Sequence, residues 1–217
     1  TRTTLSYFRM DQDNVPDYGL PWVPTNQSSL SGFGGFAPPV DFDNFYGILA
    51  RDYEETLTEI GTIEIEHDFS EDLSLRNITR YGRTLRDSVI TAPRFLGTAT
   101  NGINRQLQSR DMDDTILANQ TDLTSKFDTG PVKHTLVTGV ELVRETSNNN
   151  LRASSTATST DLFNPGPQSP FPGTVDPTGA WNEAKSFSWA LYAFDTAALN
   201  EQWDLIGGLR FDRMDLS

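Results

Sequence analysis

Tight and long connections alternate without exception along this chain, and that alternation decides most of what it can fold into. Period-two patterning with Thr, Val, Ile, Tyr, Phe and Trp predicts seven strands, at about 2–10, 54–69, 73–86, 114–127, 133–146, 185–199 and 203–215. Three connections are tight: Ser70-Glu71-Asp72, Asp128-Thr129-Gly130-Pro131-Val132 and Asn200-Glu201-Gln202. The other three, 11–53, 87–113 and 147–184, are long and carry runs such as Ser31-Gly32-Phe33-Gly34-Gly35 and Asn164-Pro165-Gly166-Pro167. In an up-and-down sheet every short turn then lies at one end and every long loop at the other. Long structureless loops count against a compact domain, whereas short periplasmic turns and long extracellular loops are the normal form of an outer-membrane barrel. The expected fold is all-β, part of a transmembrane antiparallel up-and-down β-barrel.

Strand faces point the same way, unevenly. In the third strand Leu73, Leu75, Asn77, Thr79, Tyr81, Arg83 and Leu85 share one face, while Arg76, Arg80 and Arg86 share the other. Side chains alternate between faces, so the odd set is expected to meet lipid and the even set the lumen, with Asn77 an exception. The last strand divides in the same way, Trp203, Leu205, Leu209 and Phe211 opposing Asp204, Arg210 and Asp212. The fourth and fifth alternate poorly, as single outer-membrane strands often do. Phe69, Phe127 and Trp203 border the tight turns, where an aromatic girdle belongs, because such rings favour the headgroup level.

Composition removes several other classes. The longest apolar run, Trp189 to Phe194, has six residues, far short of the ~18 of a spanning helix. There is no cysteine, so disulfide frameworks, thiolate metal sites and cysteine nucleophiles are excluded. A net charge of −13 argues against nucleic acid as a partner, since phosphate binding needs a basic face.

No enzyme signature survives inspection. The two histidines, His67 and His134, have no metal-ligand spacing, and no G-x-S-x-G occurs. Gly32-Phe33-Gly34-Gly35-Phe36-Ala37 lacks the flanking strand and helix of a phosphate cradle. The acidic stretches at Asp11 and Asp111 lack the glycine and distal glutamate of a calcium loop. No catalytic residue, resident metal or cofactor is expected.

Several stretches carry a resemblance. Asp11-Gln-Asp-Asn-Val-Pro-Asp-Tyr-Gly-Leu-Pro-Trp22, Glu64-Ile-Glu-His-Asp-Phe69, His134-Thr-Leu-Val-Thr-Gly-Val-Glu141, Leu191-Tyr-Ala-Phe-Asp195 and Gly208-Leu-Arg-Phe-Asp212 resemble, in order, the barrel of TonB-dependent siderophore receptors. The resemblance implies a plugged barrel of about 22 strands, of which residues 1–217 would form about a third. The family's plug domain, TonB box and final aromatic-ended strand fall outside these residues.

The resemblance further implies an outer-membrane receptor of bacteria that takes up a ferric siderophore with TonB-coupled energy. The iron then arrives as substrate, outer-membrane lipid surrounds the barrel, and the TonB complex acts through the plug. A passive porin, or a TonB-dependent transporter of an oligosaccharide or cobalamin, is the alternative. Anionic, aromatic chelates call for guanidinium groups and stacking faces. On that reading Tyr18, Trp22, Tyr46 and Arg51 of the first loop, and Arg94, Arg105 and Arg110 of the second, are the candidate ligand residues, with Arg80 in the lumen below.

Overall fold

A computed structural model describes all 217 residues. Eight strands are present: β1 (Arg2–Asn14), β2 (Tyr53–Asp68), β3 (Leu73–Phe95), β4 (Gly102–Thr129), β5 (Val132–Ser154), β6 (Ser159–Asp161), β7 (Val175–Asn200) and β8 (Trp203–Leu216). All pair antiparallel in the order β1-β2-β3-β4-β5-β7-β8, with β6 on the side of β4. The fold is a single up-and-down sheet, and its tight turns all lie at one end. The β4–β5 turn reverses over two residues, which requires Gly130 at φ 65, a conformation open to glycine. No helix is long and apolar enough to cross a membrane, a fact that says nothing about strands.

The strands outrun the sequence expectation at the loop end. Much of 87–113 and 147–184, read above as loop, is strand: β3 runs on to Phe95, β4 begins at Gly102, β5 reaches Ser154 and β7 starts at Val175. Alternation fades there because the strands rise out of the lipid, so neither face has to be uniformly apolar. Pro93 and Pro177 lie inside these extensions, beyond the last β2 partner (Val89) and the last β8 partner (Ser186). Each strand has lost one neighbour by that point, the edge condition under which strands tolerate proline. Above Met112, where β5 no longer flanks β4, β6 takes its place beside Gly102–Asn104.

Register fixes the two faces. The row Leu5, Ile63, Thr79, Asn119, Leu142, Trp189 joins the odd residues of β1–β4 to the even residues of β5 and the odd residues of β7. The parity change at β5 follows from the two-residue turn that pairs Thr129 with Val132. On this outward face β3 shows Leu73 through Tyr81 before its first charge, Arg83, and β8 shows Trp203 through Phe211 before Arg213. Each uncharged stretch covers nine residues, within the roughly 9–11 that a tilted strand needs to cross a bilayer. Phe69, Phe127 and Trp203 are exposed at the turn end, and Tyr7 and Tyr81 flank Gly61 at the upper boundary of the band.

The opposite face is concave and polar. A hollow of about 790 Å³ sits on it, floored by Ile60, Gly82 and Ile116 with Arg80 below and Asp114 above. Arg76 pairs with Glu64 at 2.6 Å, Arg86 with Glu54 at 2.7 Å, and Arg210 with Glu141 at 3.0 Å and Asp212 at 2.8 Å. Arg2 pairs with Glu66. Glycines make room for rings here: Tyr192 lies over Gly139 and Phe194 over Gly208, each directly across the strand pair.

Candidate ligand site

The loops at the open end form a body of their own. Val23, Leu30 and Tyr46 of the first loop, Ile103 of β4 and Leu162 of the third loop share a buried cluster, with Leu20, Val40 and Phe95 packed against it. Most of the strands below are only partly buried, so this cluster is the principal apolar core of the chain.

Three of the eight candidate ligand residues build this body and do not face solvent. The Tyr46 hydroxyl donates to the Leu162 carbonyl at 2.6 Å, and burial raises its pKa. Arg51 pairs with Asp52 at 2.8 Å and donates to the Thr91 hydroxyl at 2.5 Å, with Phe171 under its guanidinium at 5.2 Å. Asp52 also accepts from the backbone N–H groups of Ile48 and Thr91, both at 3.1 Å. Arg105 is 3% exposed and donates from Nε to the Tyr46 carbonyl at 3.0 Å and from a terminal nitrogen to the Gly166 carbonyl at 2.7 Å. Burial, and then the neighbouring Arg51 charge, pull the Arg105 pKa below its ordinary value. All three side chains are thus turned into the loop body, where Arg105 donates to carbonyls of two loops and Arg51 to Asp52 and Thr91. Their inward placement is not legible in the sequence, because loop arginines and tyrosines look alike whichever way they turn.

The other five lie on the surface. Tyr18 is half exposed and Trp22 is 66% exposed. The Arg94 guanidinium stands 5.4 Å from the Tyr18 ring centroid and donates only to the carbonyl of Pro93. Tyr18 and Arg94 therefore come together, from the first loop and the top of β3. Arg110 is exposed on the lumen side of β4 and donates only to its neighbour's carbonyl. Arg80 has no carboxylate partner and a single long contact, 3.4 Å, to the Thr62 hydroxyl. In a chain of net charge −13 these unpaired guanidiniums are the exception. Two further aromatics, Phe36 and Phe42, are 65% and 81% exposed on the first loop. Their signal was available in the sequence, a ring set in a glycine-rich run and another between two aspartates.

The arrangement offers aromatic faces and free cations, and no cluster of metal-ligating side chains. It suits binding of an anionic, aromatic solute.

The comparisons with known proteins agree with this geometry. A family profile described as TonB dependent receptor-like, beta-barrel matches residues 1–217. The catecholate siderophore receptor Fiu of Escherichia coli K12 is 34% identical over 226 residues, which cover 97% of this chain and 29% of Fiu. The crystal structure of Fiu in its open form superposes with a TM-score of 0.82 at 32% identity, covering 99% of this chain and 34% of that one. The siderophore receptor PiuA from Acinetobacter baumannii superposes at 0.85 with 25% identity, over 99% of this chain and 33% of PiuA. The chain thus spans about a third of the length of the relatives it matches. Members of this family are outer-membrane receptors and not enzymes. On fold, register and sequence together, residues 1–217 belong to the β-barrel of the TonB-dependent receptors.

Proposed function

We propose that this chain forms part of the barrel wall and ligand-reading mouth of a receptor that imports a ferric catecholate siderophore with TonB-coupled energy. The observation that carries this reading is the contact of Tyr18 with Arg94, a guanidinium free of carboxylates, with Trp22 exposed on the same loop as Tyr18, on a loop end of net negative charge. Catecholate complexes of iron are anionic and aromatic, so a cation beside stacking faces matches both properties. Similarity to receptors named for catecholate and other siderophores supports the same choice. Iron is cargo here, and no resident cofactor is required. Arg110 and Arg80, facing the lumen without carboxylate partners, extend the same cationic character down the wall.

The test is iron-limited growth of a strain lacking its own catecholate receptors, complemented with the full-length receptor. Growth on ferric catecholates that depends on a functional TonB is expected, and it should fall when Tyr18 and Trp22 are both changed to Ala. Growth independent of TonB would favour a passive porin. Growth restored only by an oligosaccharide or cobalamin would replace the ligand.

A further inference from the structure

We infer that Arg105, with the Arg51–Asp52 pair, is a positioning residue for ligand recognition: it bolts the first and third long loops onto β4, so that Tyr18, Trp22 and Arg94 stand as a preformed surface. The inference rests on the functional reading above and adds the part of the molecule that sets the geometry of that surface.

Three observations converge on it. The first is the bonding of Arg105 itself. One guanidinium on β4 holds the Tyr46 carbonyl of the first loop and the Gly166 carbonyl of the third, at 3.0 and 2.7 Å, while its own backbone N–H donates to the Thr158 carbonyl at 2.9 Å. A buried guanidinium with carbonyl partners is costly to desolvate, and apolar residues could fill the same space. What a planar fork supplies and an apolar residue does not is a fixed angle between two segments of chain.

The second is that the stitching continues around the body. Ser28 N–H donates to the Thr98 carbonyl at 2.6 Å and Gln27 Nε2 to the Thr100 carbonyl at 2.7 Å, tying the first loop to the second. Leu162 N–H donates to the Asn101 carbonyl at 2.9 Å, and Leu49 N–H to the Pro167 carbonyl at 3.1 Å, tying in the third. Asp52 fastens the end of the first loop to Thr91 on β3. No loop of the three can move far without the other two.

The third is where the exposed residues attach. Trp22 lies between Pro21 and Val23, both fully buried, and two residues after Tyr18 comes Leu20, packed on the same core. Arg94 is followed by Phe95, packed there as well. Each surface residue is thus one or two positions from an anchor in the body that Arg105 closes. A site held in its binding conformation binds more tightly because less ordering remains to be done on association, and affinity falls with the fraction of molecules in the competent form.

The experiment uses the full-length receptor in detergent or nanodiscs, with ferric tris-catecholate as the probe and heat-modifiable migration as the check that the barrel is assembled. Arg105→Ala is expected to weaken binding by about tenfold or more as the competent fraction drops. Arg105→Lys should not rescue, because a point charge cannot span both carbonyls. Leu49→Cys with Pro167→Cys, introduced into the Arg105→Ala background and oxidised, should restore affinity to within about threefold, and reduction should abolish the recovery. Limited proteolysis within residues 15–52 should rise in Arg105→Ala and fall again with the disulfide, a readout that needs no ligand. Unchanged affinity in Arg105→Ala overturns the inference. So does a crosslink that protects the loops without restoring binding, which would make Arg105 a ligand contact. A wild type that binds no catecholate overturns the functional reading instead, and the proteolysis arm still decides whether Arg105 closes the loops.

Discussion

Asn77 Nδ2 donates to the Thr121 hydroxyl at 2.7 Å on the face turned to lipid, and Asn119 Nδ2 makes the matching bond to the Thr79 hydroxyl at 2.7 Å. The two amides also exchange bonds at 3.3 Å each, and the hydroxyls of Thr79 and Thr121 donate back to Asn77 Oδ1 and Asn119 Oδ1 at 3.3 and 3.5 Å. Both N–H groups of each amide are used, so the square closes on itself within a frame of Ile63, Ile65, Val140 and Leu142. Asn77→Leu should therefore destabilise the barrel by about 1–2 kcal/mol, because it strands one N–H of Asn119 and the hydroxyl of Thr79, both of which donate to Asn77 Oδ1, in hydrocarbon. Replacing the whole square, with Leu for both asparagines and Val for both threonines, should be near neutral. Urea or thermal unfolding of the full-length receptor, followed by its migration shift, measures both. A quadruple variant worse than the single one would contradict this.

Gly139→Ala is expected to cost about 1–3 kcal/mol by overpacking, since a methyl there would overlap the ring of Tyr192 directly across the strand pair. Tyr192→Ala in the same background should recover part of the loss, because the overlap disappears. The same unfolding assay checks it, and no recovery would show that the strain lies elsewhere.

Asp87 joins Arg152 and Tyr53 above the apolar band, where Tyr53 donates to it at 2.8 Å and Arg152 also reaches Asp111 at 3.1 Å. The Arg152 guanidinium holds the Asp87 carboxyl below its ordinary range, burial works against it, and the Tyr53 hydroxyl assists. A carboxyl depressed on folding stabilises at pH above its unfolded value of about 3.9 and loses that contribution as pH falls through the folded value. Protease resistance of the β3–β5 extensions should accordingly exceed that of Arg152→Gln by a constant factor above about pH 5. The two should converge only below the ordinary carboxylate range. Convergence at neutral pH would show that the clasp is not electrostatic.

The sequence disclosed the sheet more fully than the site, for physical reasons that particular residues display. Hairpin geometry is local, so Gly130-Pro131 and the aromatics beside the turns could be placed directly. Lipid imposes a two-residue period only while a strand is in the membrane, which is why β3 was followed to Arg86 and not through Pro93 to Phe95. Asn77 looked like a flaw in the outward face because its partners, Asn119 and Thr121, lie on another strand more than forty positions away. The inward direction of Arg51 and Arg105 is not legible in the sequence because it depends on Asp52, Gly166 and a core assembled from three separate loops.

The claim beneath all of this is that one face of the sheet meets hydrocarbon and the other water. Nitroxide labels placed singly from Leu205 to Asp212 of β8 in the reconstituted full-length receptor test it most directly, by comparing collision with oxygen and with a water-soluble nickel chelate. Positions 205, 207, 209 and 211 should favour oxygen and positions 206, 208, 210 and 212 the chelate, with a period of two. Uniform access to the chelate along the strand would contradict a membrane-spanning wall.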